Sequence, residues 1–310
     1  MVKQRAGRNR TLSLTEAEFI KFRKRIYHPG IKPLGLPAIL NKTLQADLFS
    51  IIDFLPSEFA DLIIIDPPYN LDKDFHGLKF SRIKDQDYSE YLNSWFPKVV
   101  KCLKPNGSLY VCGDWKNSSL LHSVMKANLN VLNRITWQRE KGRGAGRNWK
   151  NAMEDIWFGV KDASHYYFDL DAVKVKRRVV APYKEDGKPK DWMETREGNF
   201  RVTHPSNFWD DITIPYWSMS ENTDHPTQKP EKLLAKLILA SCPENGLVFD
   251  PFLGSGTTSV VAKKLGRNYC GIEINGEYCC WAEARLEKVN THKSIQGFSE
   301  GIFWERNSGH

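Results

Sequence analysis

The sequence predicts an α/β fold: a doubly wound, mostly parallel sheet with helices on both faces. Three observations predict it. Leu62-Ile63-Ile64-Ile65 is a run of four aliphatic residues, three of them β-branched, as expected of a strand buried on both faces. A second strand, 246–250, runs into Asp250-Pro251-Phe252-Leu253-Gly254-Ser255-Gly256 and then a helix, the strand–turn–helix unit of a nucleotide-binding half-sheet. Around these two, strand-like and helix-like segments alternate.

The aliphatic run stops at Asp66-Pro67-Pro68-Tyr69-Asn70. Prolines cannot donate backbone hydrogen bonds or continue a central strand. A carboxylate, two rigid rings and an aromatic ring therefore stand at the C-terminal end of a parallel strand, where open α/β sheets place their chemistry. Read alone, Asp-Pro-Pro could equally be a strand-ending turn.

Taken in order, residues 1–13 are basic and polar and are expected to be mobile until bound. A helix is predicted from Thr15 to about Arg25, a short strand over 39–44, and helical spacing at Phe49, Ile52 and Leu55. A charged loop, 72–87, follows Tyr69 and is a candidate lid. Helix 88–103, strand 108–112, helix 116–128 and strand 131–137 come next. A glycine-rich basic loop, 141–147, leads to strand 154–160. Residues 161–220 break the rhythm, with ten aromatic residues among many charges, and read as an inserted module. Helix 230–241, strand 246–250, helix 257–265, strand 268–273 and helix 276–289 close the fold, and the remainder is a polar extension with an apolar hook at Phe298, Ile302, Phe303 and Trp304.

The 310 residues carry a net charge of +8, with a pI near 9.0. The basic residues are grouped: eight Lys/Arg against two Glu over 1–25, six against one over 134–150, and seven against two acids over 174–190. Two of these blocks are mid-chain, so they read as a surface footprint for a polyanion rather than a tail. Arg143, Arg147, Lys176, Arg177 and Arg178 are the candidate phosphate or base contacts to such a polyanion, each equally readable as part of a solvated basic face. No run of 18 apolar residues exists, so no membrane span is expected, and no apolar stretch follows the basic N-terminus as a secretory signal requires. Six cysteines without a C-x-x-C pair suggest reduced, buried thiols in the cytoplasm, with no metal site.

The second motif specifies the ligand. Its glycines let the backbone approach a ligand closely. Glu273, nineteen residues after Gly254 at the end of the next strand, suits a carboxylate on ribose hydroxyls. The third glycine of a dinucleotide fingerprint is missing, and Asp250 would repel a pyrophosphate but suit the amino group of a methionine moiety. S-adenosylmethionine is therefore expected over a nicotinamide dinucleotide.

With Asp66-Pro67-Pro68-Tyr69, Asp250-Pro251-Phe252-x-Gly254-x-Gly256 and His225-Pro226-Thr227-Gln228-Lys229-Pro230, the chain resembles the β-class DNA adenine-N6 (amino) methyltransferases of restriction–modification systems. Pro205-Ser206-Asn207-Phe208-Trp209-Asp210 also resembles a segment of that family, and the resemblance covers roughly residues 40–290. It implies an S-adenosylmethionine-dependent methyltransferase sheet with circularly permuted motif order. The implied organisation is a basic N-terminal extension (1–38), the catalytic half of the domain (39–160), a target-recognition insert (161–220), the cofactor-binding half (221–290) and a C-terminal extension (291–310).

The resemblance implies that Asp66 and the Pro67 carbonyl accept the two N6 hydrogens of a flipped adenine in duplex DNA, that Pro68 fixes the turn, and that Tyr69 stacks on the base. Cofactor contacts implied are Asp47, Asp66, His225, Lys229, Asp250, Phe252, Gly254, Gly256, Thr257 and Glu273. Asp47 departs from the pattern in following Ala46, where the family has Gly, and Lys229 has a second reading as a cap of the following helix. Cytosine-N4 methylation is the nearest alternative, although that reaction usually has Ser in place of Asp66. A structured-RNA methyltransferase and a non-catalytic DNA-binding protein on this fold are the others. A homodimer and a separate cognate restriction endonuclease are the candidate partners besides DNA.

Overall fold

A computed structural model of the chain describes residues 6–70, 73–75, 78–80, 82–179, 183–196 and 198–305. Its central sheet has eight strands: β1 (Lys42–Gln45), β2 (Ala60–Ile65), β3 (Leu103–Gly113), β4 (Asn130–Ala145), β5 (Asn148–Val160), β6 (Phe208–Trp209), β7 (Leu247–Asp250) and β8 (Asn268–Glu273). Their order is β1-β8-β7-β2-β3-β5-β4-β6. Pairing is parallel from β1 through β3, and β5 runs antiparallel to both β3 and β4.

Side chains alternate across β2 and feed two cores. The helices are α1 (Glu16–Arg23), α2 (Leu36–Ile39), α3 (Leu48–Ile51), α4 (Asp85–Lys101), α5 (Ser118–Asn128), α6 (Glu231–Ser241), α7 (Thr257–Lys264) and α8 (Gly276–Lys288). Leu62 and Ile64 join Leu233, Leu237 and Val260 of α6 and α7. Ile63 and Ile65 join Leu92, Trp95, Val99 and Leu121 of helices Asp85–Lys101 and Ser118–Asn128 on the other face. Each such buried aliphatic contributes about 1.5–3 kcal/mol. That is why the run carries no polar residue.

β2 and β7 are neighbours, with Val248 opposite Leu62 and Phe249 opposite Ile63. The chain leaves β2 toward β3 and leaves β7 toward β8. The strand order therefore reverses between them. Such a switch point opens a crevice at the strands' C-terminal ends, and both sequence motifs lie there.

Several expectations are corrected. The strand expected over 39–44 begins only at Lys42, because Pro37 favours a helical turn at Leu36–Ile39 and Asn41 turns at φ 56°. The glycine-rich loop 141–147 is largely strand: β4 and β5 form one long ribbon turning at Gly146-Arg147. Helix 88–103 begins earlier, at Asp85, where Asp85 and Asp87 suit the positive end of its dipole. Within the expected lid, Lys73–Phe75 pairs with Leu78–Phe80, while residues 72, 76, 77 and 81 lie outside the described residues.

The described residues near both ends of the chain are bound into the fold. The Leu12 N–H donates to Asn222 O at 2.8 Å, and the Arg10 N–H to Trp217 O at 2.7 Å. Phe22 and Ile26, in and just after helix Glu16–Arg23, pack on Tyr278 and Trp281 of α8 (Gly276–Lys288). At the other end, Ile302–Trp304 pairs with Val175–Arg178 and, with Phe298–Ser299, joins Val175–Arg178, Gly198–Thr203 and Met193–Thr195 in a five-stranded sheet. All six cysteines are buried free thiols.

Candidate active site

The Asp66–Tyr69 segment is braced from the side by two residues. The Asn70 side chain donates to Ile83 O at 2.9 Å and accepts the Ile83 N–H at 2.8 Å. The Tyr88 hydroxyl donates to Pro68 O at 3.1 Å. The two prolines remove donors, the Tyr88 hydroxyl satisfies the Pro68 carbonyl, and Asn70 ties the end of the turn to Ile83, so the turn is held in one shape.

Above it lies a cluster of charges. Lys229 Nζ is 2.7 Å from Asp66 Oδ2 and 3.2 Å from Glu154 Oε2. The Tyr69 hydroxyl donates to Asp66 Oδ1 at 2.7 Å, and Lys229 also donates to that hydroxyl at 3.2 Å. Arg139 binds the far side of Glu154 at 2.9 Å. Burial works against the Lys229 ammonium, yet Asp66 and Glu154 outweigh it and hold its pKa above the ordinary lysine value. Burial, then the carboxylates of Asp66 and Glu154, push the Tyr69 phenol well up, so it stays a donor.

The second half of the site comes from β7, β8 and the loop before α6. Asp250 Oδ1 accepts the Phe252 N–H at 2.9 Å, and Oδ2 accepts the Thr258 hydroxyl at 2.5 Å. Burial raises the Asp250 pKa to about 7 despite these two bonds. Glu273 accepts the backbone N–H groups of Gly254 and Asn275, both at 2.8 Å, and its pKa is raised by burial. Gly254 has φ +56°, and a Cβ there would lie 3.0 Å from His225 Nε2. Gly256 has φ +84°, and a Cβ there would lie 2.5 Å from that of Ala282 in α8. Only glycine lets this turn close against both neighbours.

Asp66, Pro67, Pro68, Tyr69, His225, Lys229, Asp250, Phe252, Gly254, Thr257 and Glu273 thus line one cavity. Gly256 shapes the turn behind it. Asp47 does not line it: its exposed side chain accepts the Phe49 N–H at 3.1 Å and caps the short helix Leu48–Ile51. The Thr257 hydroxyl accepts from Arg285 at 2.9 Å, and Arg285 in turn binds Glu231 at 3.1 Å.

The candidate DNA contacts are scattered. Arg147 is exposed at the ribbon turn, and the side chain of Arg143 lies outside the described residues. Lys176 sits 3.9 Å from the Trp304 ring centroid and 4.7 Å from that of Phe200. Arg177 Nε lies 3.9 Å from Glu305, and Arg178 is exposed.

Glu154 and Arg139 escaped the sequence reading, as did Asn70 and Tyr88. The available signal was a lone Glu154-Asp155 pair opening an otherwise apolar strand. Ile274, half exposed beside Glu273 on the cavity wall, was also missed.

Residues 60–284 match the family model N6_N4_Mtase, described as DNA methylase. The chain is 34% identical over 235 residues to the type II methyltransferase M.HpaI of Haemophilus parainfluenzae, covering 75% of this chain and 70% of that protein. It is 33% identical over 273 residues to the DNA adenine methyltransferase YhdJ of Escherichia coli (strain K12), covering 86% and 89%. The solved structure of an M1.HpyAVI–SAM complex is similar with a TM-score of 0.54 and 26% identity, covering 79% of this chain and 98% of that one. The cytosine-N4-specific PvuII DNA methyltransferase shares the fold, with a TM-score of 0.59, 18% identity and coverage of 81% and 90%.

Proposed function

The chain belongs to the N6/N4 DNA methylase family, and from that premise we propose that it methylates the N6 amine of an adenine flipped out of duplex DNA, using S-adenosylmethionine. The observation that carries this reading is the shared cavity: Asp66 at the end of β2 and the Asp250–Gly256 turn at the end of β7 face the same space.

The residues fit that cofactor. Asp250 and Glu273 suit an ammonium group and ribose hydroxyls, and the cradle at Gly254 would be filled by any side chain. Phe252 and Ile274 offer apolar faces to a purine. Lys229 is the cation on the wall for a carboxylate, and Thr257 opens α7, whose dipole favours an anion. When bound, the cofactor supplies a methyl group already activated on a sulfonium.

The protein's work is then positioning and electrostatics. An adenine N6 amine is a weak nucleophile because its lone pair is delocalised into the ring. Asp66 accepts one N6 hydrogen and the Pro67 carbonyl the other, which favours a more tetrahedral nitrogen. The two prolines keep that carbonyl pointed outward. Asp66 need not remove a proton first, since the nitrogen becomes acidic once methylated, and Asp66 then accepts the proton it sheds. Tyr69 stacks on the base, for which its hydroxyl must release Asp66. Asp66, where the cytosine-N4 enzymes of the resemblance usually have Ser, favours adenine over cytosine.

Incubation with methyl-labelled S-adenosylmethionine and duplex DNA, then digestion to nucleosides, tests this reading. Label in N6-methyl-2′-deoxyadenosine is expected. Label in N4-methylcytosine, or none, overturns it. Cytoplasmic location, assembly as a homodimer and a separate cognate restriction endonuclease are finer readings that family membership supports. Sedimentation tests the dimer, and protection of methylated DNA from cleavage tests the nuclease pairing.

A further inference from the structure

We propose that the tip of the β4–β5 ribbon is a wedge that enters the duplex where the target base has left, with Trp149 filling the gap. This deepens, and rests on, the methyltransferase reading above. The first observation is topological. β3 pairs with β5 only as far as Gly113 opposite Asp155, and β6 pairs with β4 only as far as Trp209 opposite Trp137. Beyond those pairs, among the described residues, the two ribbon strands pair only with each other. The ribbon therefore projects past the sheet.

The second observation is chemical. Trp149 is 93% exposed, more than any other large hydrophobic side chain among the described residues. One exposed apolar residue needs no explanation by itself. This one stands at the end of a ribbon, its backbone N–H held by Asn148 Oδ1 at 2.7 Å, with exposed Arg147 and Lys150 on either side of it. The segment 134–150 holds six Lys/Arg against one Glu, a charge that complements phosphates.

The third observation is reach. The root of the same ribbon supplies Glu154 and Arg139 to the charge cluster around Asp66. Trp149 lies five positions before Glu154, about 17 Å of extended strand. A base held at Asp66 and an indole inside the stack are thus within the span of one ribbon, whose strands shift register between Gln138 and Ala145. Extruding a base forfeits its stacking, and an aromatic side chain inserted at the vacated step restores it in part. By the usual worth of one aromatic–base stack, the wedge shifts the flipping equilibrium about 10- to 100-fold.

The test uses the full chain and an oligonucleotide duplex carrying the site that the wild-type enzyme is found, by sequencing, to methylate. Two duplexes are compared: one fully paired, one with an abasic residue opposite the target adenine, where flipping is nearly free. Trp149→Ala is expected to slow transfer about 10- to 100-fold on the paired duplex and to leave the abasic-opposed duplex within about threefold of wild type, while Trp149→Phe recovers most of the loss. Equal loss on both duplexes, or no loss on the paired one, as expected of a ribbon that serves a protein partner, overturns the wedge. Absence of transfer by the wild-type enzyme on any DNA overturns the methyltransferase reading instead.

Discussion

The Lys229 ammonium lies 2.7 Å from Oδ2 of Asp66, joining two residues 163 positions apart across the crevice between the halves of the sheet. Both are largely buried, with side-chain exposures of 8% and 22%. The carboxylate proposed to hold the substrate amine therefore has a resident cation. Lys229→Met leaves Asp66 and Glu154 facing each other without it. Breaking a buried pair in this way costs about 3–5 kcal/mol. Chemical denaturation is expected to show that loss, and the double variant Asp66→Asn/Lys229→Met is expected to recover most of it. Additive losses in the double variant would mean the pair is not coupled.

Asp250 predicts a pH dependence of cofactor binding. Burial lifts its pKa to about 7, above the ordinary carboxyl value of 3.8. A carboxyl raised on folding stabilises the fold fully below its unfolded pKa, and that contribution is lost as pH rises through about 7. The ionised form gained over that same window is the one that attracts an ammonium group. S-adenosylmethionine affinity, measured by calorimetry, is expected to rise from pH 6 to pH 8 and to flatten in Asp250→Asn, with thermal stability moving the opposite way in the wild type. An unchanged slope in Asp250→Asn would remove Asp250 from the cofactor's amino group.

Gly256 sits where helix α7 meets helix α8. A Cβ there would approach the Ala282 Cβ to 2.5 Å at a backbone φ of +84°. Gly256→Ala is expected to destabilise by about 1–3 kcal/mol, seen as a lower denaturation midpoint, and to weaken cofactor binding because the turn can no longer close on α8. A variant with unchanged midpoint and affinity would show that the helices part freely.

Two basic residues should behave differently. Lys176 is spent on the Trp304 and Phe200 rings inside the small sheet, whereas Arg147 is exposed at the ribbon turn. Arg147→Ala is expected to weaken DNA binding and to lower the slope of log affinity against log salt by about 0.9. Lys176→Ala is expected to lower stability by about 1–2 kcal/mol with little change in that slope. The reverse pattern would put the DNA on the small five-stranded sheet rather than on the ribbon.

What was legible in the sequence was local. The aliphatic run before Asp66 and the glycines after Asp250 are contiguous patterns whose physics is complete within ten residues. The two-sided burial of Leu62–Ile65 followed from them. What was not legible depends on partners far along the chain. Leu12 reads as part of a polar tail until its N–H meets Asn222 O. Lys176 reads as a free cation until Trp304 arrives from the C-terminus. Glu154 acquires meaning only when the sheet order brings β5 beside β3 and Lys229 descends from the loop before α6. Asn70 looked idle because its partner, Ile83, lies beyond the hairpin.

The most direct test of the account is single-turnover methyl transfer by Asp66→Ala. Cofactor and DNA affinities are measured alongside it by calorimetry and by titration of labelled duplex. If Asp66 holds the substrate amine, transfer falls below detection while cofactor and DNA affinities stay within about tenfold (about 1.4 kcal/mol) of wild type. Transfer at a rate within tenfold of wild type would contradict the account, because the chemistry would then proceed without the carboxylate at the end of β2.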